Sequence, residues 1–144
     1  MLFDPNNKIV ILCAKGMDLE GEGKNTDGLK LFQQAWDEAE TSIEKFIAAH
    51  YLARHQENMA DKLGWDETAL QWALKINDNS VKETFPSLYL NIAKCYEDLN
   101  DPENASKNYA LALSFTDCLP DNGYGNMIKG GIKNGLLRTS VKRG

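Results

Sequence analysis

The sequence predicts an all-α protein built from pairs of helices. Apolar residues recur every three or four positions in seven segments of the 144-residue chain, which is the spacing of one helix face. Capping residues, prolines and glycines separate these segments. One β-rich run, residues 8–13, has no partner strand, so no sheet competes with the helical interpretation.

Composition restricts the class of protein and partner. Apolar residues make up 42% and charged residues 26%, ordinary values for a globular chain that forms one domain. The net charge of −5 disfavours nucleic acid as the main partner, because phosphate neutralisation needs a basic surface. The apolar run 9–14 is too short for a secretory signal or a membrane span. Three cysteines form no Cys-x-x-Cys pair. We therefore expect a cytoplasmic protein with no membrane partner, metal or cofactor.

The first helix pair is predicted within residues 9–42. Asp4, followed by Pro5, is the expected cap of the first helix, which ends at the glycines near residue 21. Asn25 or Thr26 is the expected cap of the second helix. Apolar stripes follow in both segments, at the residues Ile9, Leu12, Cys13, Gly16 and Leu19 and then at Leu29, Phe32, Ala35, Trp36 and Ala39.

The second pair, within residues 43–85, is predicted to be longer and irregular. Thr41 and Glu44 form a capping box, and the helix after it should run to about Glu57. Residues 58–65 are ambiguous, since Gly64 interrupts them, and a short helix is expected from Asp66. A further capping box at 80–83 should begin a helix that contains Pro86 in its first turns.

The third pair carries the most informative pattern, in residues 86–120. Its first helix has large residues at Tyr89, Ile92 and Tyr96 and a small one at Ala93, and a turn follows at 100–102. The second helix then carries the residues Ala105, Tyr109 and Ala112, and Pro120 closes the segment.

This pattern resembles the tetratricopeptide repeat, W-x2-L-G-x2-Y…A-x3-F…P. The segments 49–56, 85–91 and 123–128 are also similar to small bacterial tetratricopeptide proteins of about this length. The resemblance implies a right-handed α-α superhelix of about three pairs (9–42, 43–85 and 86–119), a capping helix at about 123–138 and a frayed tail at 139–144. Gly28 and Ala105 are 77 residues apart, two 34-residue repeats plus nine, and we expect the nine extra residues at 58–65 and 77–84.

Candidate binding residues lie on the first helices, which line the concave face in such arrays. Arg54, His55 and Gln56 present donors that suit a carboxylate or phosphate. Alternatively, Arg54 and His55 hold the following turn by bonding helix-end carbonyls. Asn91 resembles the asparagine with which some tetratricopeptide domains hold a peptide backbone, and Lys94 would contact a carboxylate, unless both simply belong to a solvated face.

His50 and Trp65 support a different alternative. His50 lies on an apolar stripe and is expected to be a half-buried core histidine, while Trp65 stands beside Gly64 in the ambiguous segment. His50 and His55 are five residues apart, whereas two metal ligands on one helix face should be four apart. A small-molecule site, or a minor enzyme, would centre on His50, Arg54, His55 and the Trp65 turn.

Charge is unevenly distributed along the chain. Residues 17–44 have a net charge of −6, and residues 126–144 have a net charge of +5. A weak homo-oligomer could join these two ends, although two solvated surfaces are the simpler interpretation, since surface ion pairs are individually weak. Serine-hydrolase, phosphate-loop and zinc-protease motifs are absent from the sequence. We therefore predict a non-catalytic protein- or peptide-binding module.

Overall fold

The protein is all-α. A computed structural model describes the backbone of residues 3–143 and the side chains of residues 3–140. Within these residues, seven α-helices confirm the predicted helix count, and no strand is found. They are α1 (Lys8–Gly21), α2 (Asn25–Glu38), α3 (Ser42–Arg54), α4 (Met59–Ala73), α5 (Phe85–Asp98), α6 (Pro102–Ser114) and α7 (Gly123–Arg143). Short 3₁₀ helices cover Asn79–Thr84 and Thr116–Cys118.

The helix starts follow a regular spacing. α1, α2, α3 and α4 begin 17 residues apart, and so do α5 and α6. The first helices α1 and α3 therefore begin 34 residues apart, whereas α3 and α5 begin 43 residues apart. All nine extra residues lie between α4 and α5, at 74–84. The predicted insertion at 58–65 is wrong, because those residues belong to the regular part of the array.

α4 is longer than predicted. It starts at Met59, where the Asn58 side chain accepts a hydrogen bond from the Asp61 N–H at 3.1 Å. Gly64 and Trp65 consequently lie inside a 15-residue helix and not in a turn. A single glycine costs only about 1 kcal/mol in a helix. The α3–α4 packing outweighs this cost.

Three other helix starts also differ from the prediction. Asn7, and not Asp4, caps α1 by accepting hydrogen bonds from the Ile9 and Val10 N–H groups. Asp4 instead accepts from the Asn6 N–H in a local turn. α2 begins at Asn25 without a side-chain cap, so neither predicted residue has that role. The segment 79–84 forms a separate 3₁₀ helix before Pro86.

The capping box at Thr41 is confirmed, and it also connects two helices. Glu44 accepts from the backbone N–H groups of Glu40 and Thr41 and from the Asn7 side chain at 2.9 Å. Burial acts to raise the pKa of this carboxyl, but the three hydrogen bonds outweigh it and hold the pKa below its ordinary value. Asn7 and Glu44 thereby join the start of α1 to the start of α3.

The chain divides into two compact units, Met1–Asp78 and Asn79–Gly144. In the first unit, α1 packs on α2 and α3 packs on α4, with α2 and α1 against α3. Gly16 allows the close approach of α1 and α2, because a Cβ there would lie 2.6 Å from the Phe32 ring. The largest side chains of this core are Phe32, Ile9, Ile47 and Leu52.

In the second unit, α6 packs between α5 and α7. The buried Tyr109 donates a hydrogen bond to Glu97 at 2.7 Å, and Arg138 binds both Glu97 oxygens at 2.8 and 3.1 Å. Burial and the neighbouring Glu97 carboxylate raise the pKa of Tyr109 to about 12. These three side chains connect α5, α6 and α7.

α7 extends further than predicted. Residues 139–143 are helical, and Thr139 is fully buried, so the predicted frayed tail is wrong for them. Gly144 lies outside the described residues. Gly135 is not merely a weak point of the helix, because a Cβ there would overlap the Tyr109 ring. Gly130, by contrast, has open space around it.

Replacing these two glycines by alanine should change stability in opposite directions. We expect Gly130→Ala to raise the free energy of unfolding by about 1 kcal/mol, through helix propensity alone. Gly135→Ala should lower it by about 2 kcal/mol, because the added methyl group forces α7 away from Tyr109. Urea denaturation followed by circular dichroism measures both, and equal effects of the two variants would refute the close packing.

Candidate functional site

Arg54, His55 and Gln56 lie at the end of α3, as the sequence indicates, but their main partner is a carboxylate of α1. Arg54 Nη2 donates to Glu20 Oε1 at 3.3 Å, and His55 Nε2 contacts Glu20 Oε2. Gln56 donates to the Leu52 carbonyl at 3.1 Å. The hydrogen bond to a helix-end carbonyl, predicted as an alternative role of Arg54 and His55, is thus made by Gln56. Arg54 and His55 instead join the end of α3 to the end of α1.

Arg54 is nevertheless partly available to a ligand. Its side chain is 44% exposed and its guanidinium lies 5.5 Å from the centre of the Tyr51 ring. Arginine has five N–H donors in a planar fork, and the bond to Glu20 uses one nitrogen. The His55 side chain is only 13% exposed. Of the three predicted residues, Arg54 is therefore the best placed to meet a carboxylate.

An apolar groove lies between α1 and α3 on the Tyr51 side of this cluster. Its volume is about 130 Å³. α1 and the preceding residues contribute Phe3, Val10, Cys13, Ala14 and Met17, and α3 contributes Ile47 and Tyr51. Tyr51 stacks on Phe32, with ring centres 5.3 Å apart, so the core holds its ring in place. Tyr51 thus belongs to the groove and also lies under the Arg54 guanidinium.

The groove floor is chemically unreactive. Burial raises the pKa of the Cys13 thiol to about 12, so Cys13 is protonated at neutral pH and is a poor nucleophile. The same burial raises the pKa of the Tyr51 hydroxyl. These groups can contribute apolar contact and a hydrogen bond, which suits binding.

Trp65 is at a different place from the two histidines. It packs edge-on against Trp36, with ring centres 5.0 Å apart and an interplanar angle of 82°. A surface depression of about 380 Å³ surrounds the pair and is lined by Trp36, Ala60, Asp61, Gly64, Trp65 and Thr68. The structure therefore does not bring Trp65, His50 and His55 to one pocket.

Asn91 and Lys94 lie on α5, in the second compact unit. Asn91 is half-buried and Lys94 is exposed. The role of these two residues in contacting a peptide therefore remains a prediction from the sequence.

His50 belongs to a polar cluster in the α3–α4 pair, which sequence reasoning missed. Counted from the first residue of each helix, Gly16, His50 and Ala93 occupy the same position in α1, α3 and α5. Phe32, Asp66 and Tyr109 likewise occupy the same position in α2, α4 and α6. Asp66 thus replaces an aromatic ring, with 2% of its surface exposed. Lys62, at the position of Gly28 and Ala105, forms an ion pair with Asp66 at 2.8 Å. Aligning the sequence of α3–α4 with that of α1–α2, 34 residues earlier, would have revealed this polar cluster.

The cluster also acts on the protonation of His50. Burial, together with the positive charges of Arg54 and Lys62, lowers the pKa of His50 below its ordinary value of 6.5, and Asp66 opposes this shift only in part. The ring lies beside Phe46 and Tyr51, at 6.3 and 5.4 Å between centres. His50 is therefore a neutral, half-buried residue at neutral pH.

The described residues form neither a metal-ligand cluster nor a helix able to cross a membrane. No group of three or more His, Cys, Asp or Glu side chains among them is arranged to hold a metal ion. None of the helices within residues 3–143 has the length and apolar character needed to cross a bilayer.

Comparison with known proteins finds no matching family model, curated protein or solved structure. The tetratricopeptide family stays a prediction from the residue pattern, and so does the superhelix.

Removing the Lys62 cation should destabilise the first unit. We expect Lys62→Met to lower the free energy of unfolding by about 2 kcal/mol, because it leaves the buried Asp66 without its ion-pair partner on α4. Lys107→Met, at an exposed position of α6, is the control and should change the value by less than about 0.5 kcal/mol. Urea denaturation of both variants measures the difference, and a harmless Lys62→Met would contradict a stabilising ion pair.

His50 should make stability depend on pH. Because the pKa of His50 is lower in the folded state than in the unfolded state, the unfolded state binds more protons at this residue below pH 6.5. The contribution of His50 to the free energy of unfolding is therefore complete above pH 6.5 and is lost as the pH falls towards the folded pKa. We expect the free energy of unfolding of wild type to decrease between about pH 7.5 and pH 5, and His50→Gln to decrease less steeply over this range. Parallel urea titrations test this. Identical slopes would mean that His50 titrates alike in the folded and unfolded states.

Proposed function

We propose that the protein is a non-catalytic, peptide-binding module, and that its principal contact surface is the α1–α3 groove together with Arg54. The groove supports this proposal by its size and lining. Pockets for drug-sized ligands usually have volumes of about 300–1,000 Å³. A volume of about 130 Å³ suits a single apolar side chain that projects from a longer chain.

Arg54 adds a charge preference. Its half-exposed guanidinium lies against Tyr51, which also lines the groove. A peptide whose apolar side chain enters the groove would therefore bring its adjacent residues to Arg54. An aspartate, a glutamate or a terminal carboxylate there could pair with the guanidinium fork. The preferred ligand is thus a peptide with a large apolar residue close to a carboxylate.

Glu20 has a positioning role in this proposal. It binds Arg54 and His55 at once, so it orients the guanidinium above Tyr51 and offsets its charge. An incoming carboxylate would compete with Glu20 or share Arg54 with it. Affinity should therefore be moderate and should weaken with salt, as is usual for partly exposed ion pairs.

Two matched variants test the groove. Met17 lines it and is 40% exposed, so Met17→Glu should place a charge there without disturbing the core. Met127, 64% exposed on α7, receives the same change as a control. Peptides selected from a random display library on wild-type protein should contain an apolar residue near a carboxylate. Met17→Glu should weaken their binding at least tenfold, about 1.4 kcal/mol, and Met127→Glu should leave it unchanged.

Arg54→Gln separates the charge contribution from the apolar contribution. It should weaken binding several-fold and remove most of the salt dependence, as measured by fluorescence anisotropy with a labelled selected peptide. Denaturation curves of all three variants establish that each is folded. If Met17→Glu and Met127→Glu bind selected peptides equally well, the α1–α3 groove is not the binding surface.

A further inference from the structure

A second groove lies in the other unit, between α6 and α7. Its volume is about 400 Å³, and its lining includes Leu113 and Thr116 on one side and Lys129, Lys133, Leu136 and Leu137 on α7. Leu113 is 51% exposed and Leu137 is 60% exposed. Half-exposed leucines in an open groove favour a broad partner, such as a helix about 10 Å wide, over a small molecule that must be mostly enclosed.

The two lysines determine the charge of that partner. Lys129 and Lys133 are four residues apart, so they lie on one face of α7 along the groove. Two copies of α7 packed symmetrically on each other would bring four ammonium groups together, which is unfavourable. The groove instead requires an occupant with apolar and acidic residues on one helix face.

α1 of this same chain has such a face. Ile11 and Asp18 on α1 and Glu22, the capping residue that follows its last turn, are exposed and lie seven and four residues apart, which places them in one row. This row is distinct from the one formed by Val10, Cys13 and Met17, which lines the α1–α3 groove. Its two acidic residues, Asp18 and Glu22, belong to the acid-rich segment 17–44, whose net charge is −6.

The spacing of the two rows matches when the helices run in opposite directions. Glu22, Asp18 and Ile11 are then level with Lys129, Lys133 and Ser140, because both sets are separated by four and seven residues. Ile11 lies about one helical turn beyond the level of Leu136 and Leu137, within reach of the apolar end of the groove. Lys15, which is also on this face, comes level with Leu136, where its aliphatic stem can cover the leucine while its ammonium group reaches solvent.

We propose that a second copy of this chain places its α1 antiparallel along α7 in the lysine-lined α6–α7 groove. The contact joins two different surfaces, so each copy in a pair keeps one unused surface to which a further copy can bind. A single helix–helix contact buries less area than a stable dimer interface. The assembly is therefore weak and forms at high protein concentration and low salt.

Sedimentation velocity of the full chain tests the proposal directly. At about 50 mM salt the sedimentation coefficient of wild type should rise with concentration, and at about 500 mM it should return to the monomer value. Lys129→Glu/Lys133→Glu and Asp18→Lys/Glu22→Lys should each remain monomeric at both salt concentrations. The chain carrying all four changes has the wild-type net charge and reversed pairs, so it should associate again.

Two further variants control for net charge alone. Lys30→Glu/Lys82→Glu and Glu57→Lys/Glu67→Lys change exposed residues outside both rows and should associate like wild type. The proposal is overturned if wild type stays monomeric up to about 500 μM at low salt. It is also overturned if Asp18→Lys/Glu22→Lys associates normally, or if the four changes together fail to restore association.

Discussion

The structure depends on how closely the two helices of a pair approach at one recurring position. In α1–α2 this position is Gly16, where any side chain would strike the Phe32 ring. In α5–α6 it is Ala93, buried in the same cluster as Tyr109. In α3–α4 it is His50, across from Asp66. A small residue against an aromatic ring gives dense packing at little conformational cost. The middle pair replaces this contact with polar groups, and Lys62 compensates the buried charge.

A second constraint recurs at the ends of the first helices. Glu20 and Glu97 occupy equivalent positions, thirteen residues into α1 and α5. Each accepts hydrogen bonds from an arginine of the helix that packs next to it, Arg54 on α3 and Arg138 on α7. Arginine suits this role because its planar donors can bind a carboxylate and a second acceptor together. In the second unit that acceptor is the hydroxyl of the buried Tyr109, which the Arg138 guanidinium reaches at 3.2 Å. In the first unit the arginine, Arg54, lies instead over the ring of Tyr51, which lines the α1–α3 groove.

The two grooves differ in what they can hold, and the difference follows from their depth and charge. The α1–α3 groove is small and has a cation at one end, so it suits one apolar side chain with a carboxylate nearby. The α6–α7 groove is larger, open and bordered by lysines along its length, so it suits an acidic helix. Neither use requires a reactive group, in accord with the protonated Cys13 thiol.

The sequence by itself determined the helical class, the seven helices and the capping box at Thr41, because periodicity and capping are local properties. The sequence did not predict that α4 continues through Gly64. One glycine destabilises a helix by less than tertiary packing stabilises it, and that packing is not visible in the sequence. Asp4 has a side chain that can cap a helix, but Asn7 caps α1 instead, because Asn7 also donates a hydrogen bond to Glu44 on α3. The roles of Arg54 and His55 were likewise decided by Glu20, a residue 34 positions away from Arg54. Only tertiary structure decides such contacts, because they depend on which faces meet and not on any short stretch of chain.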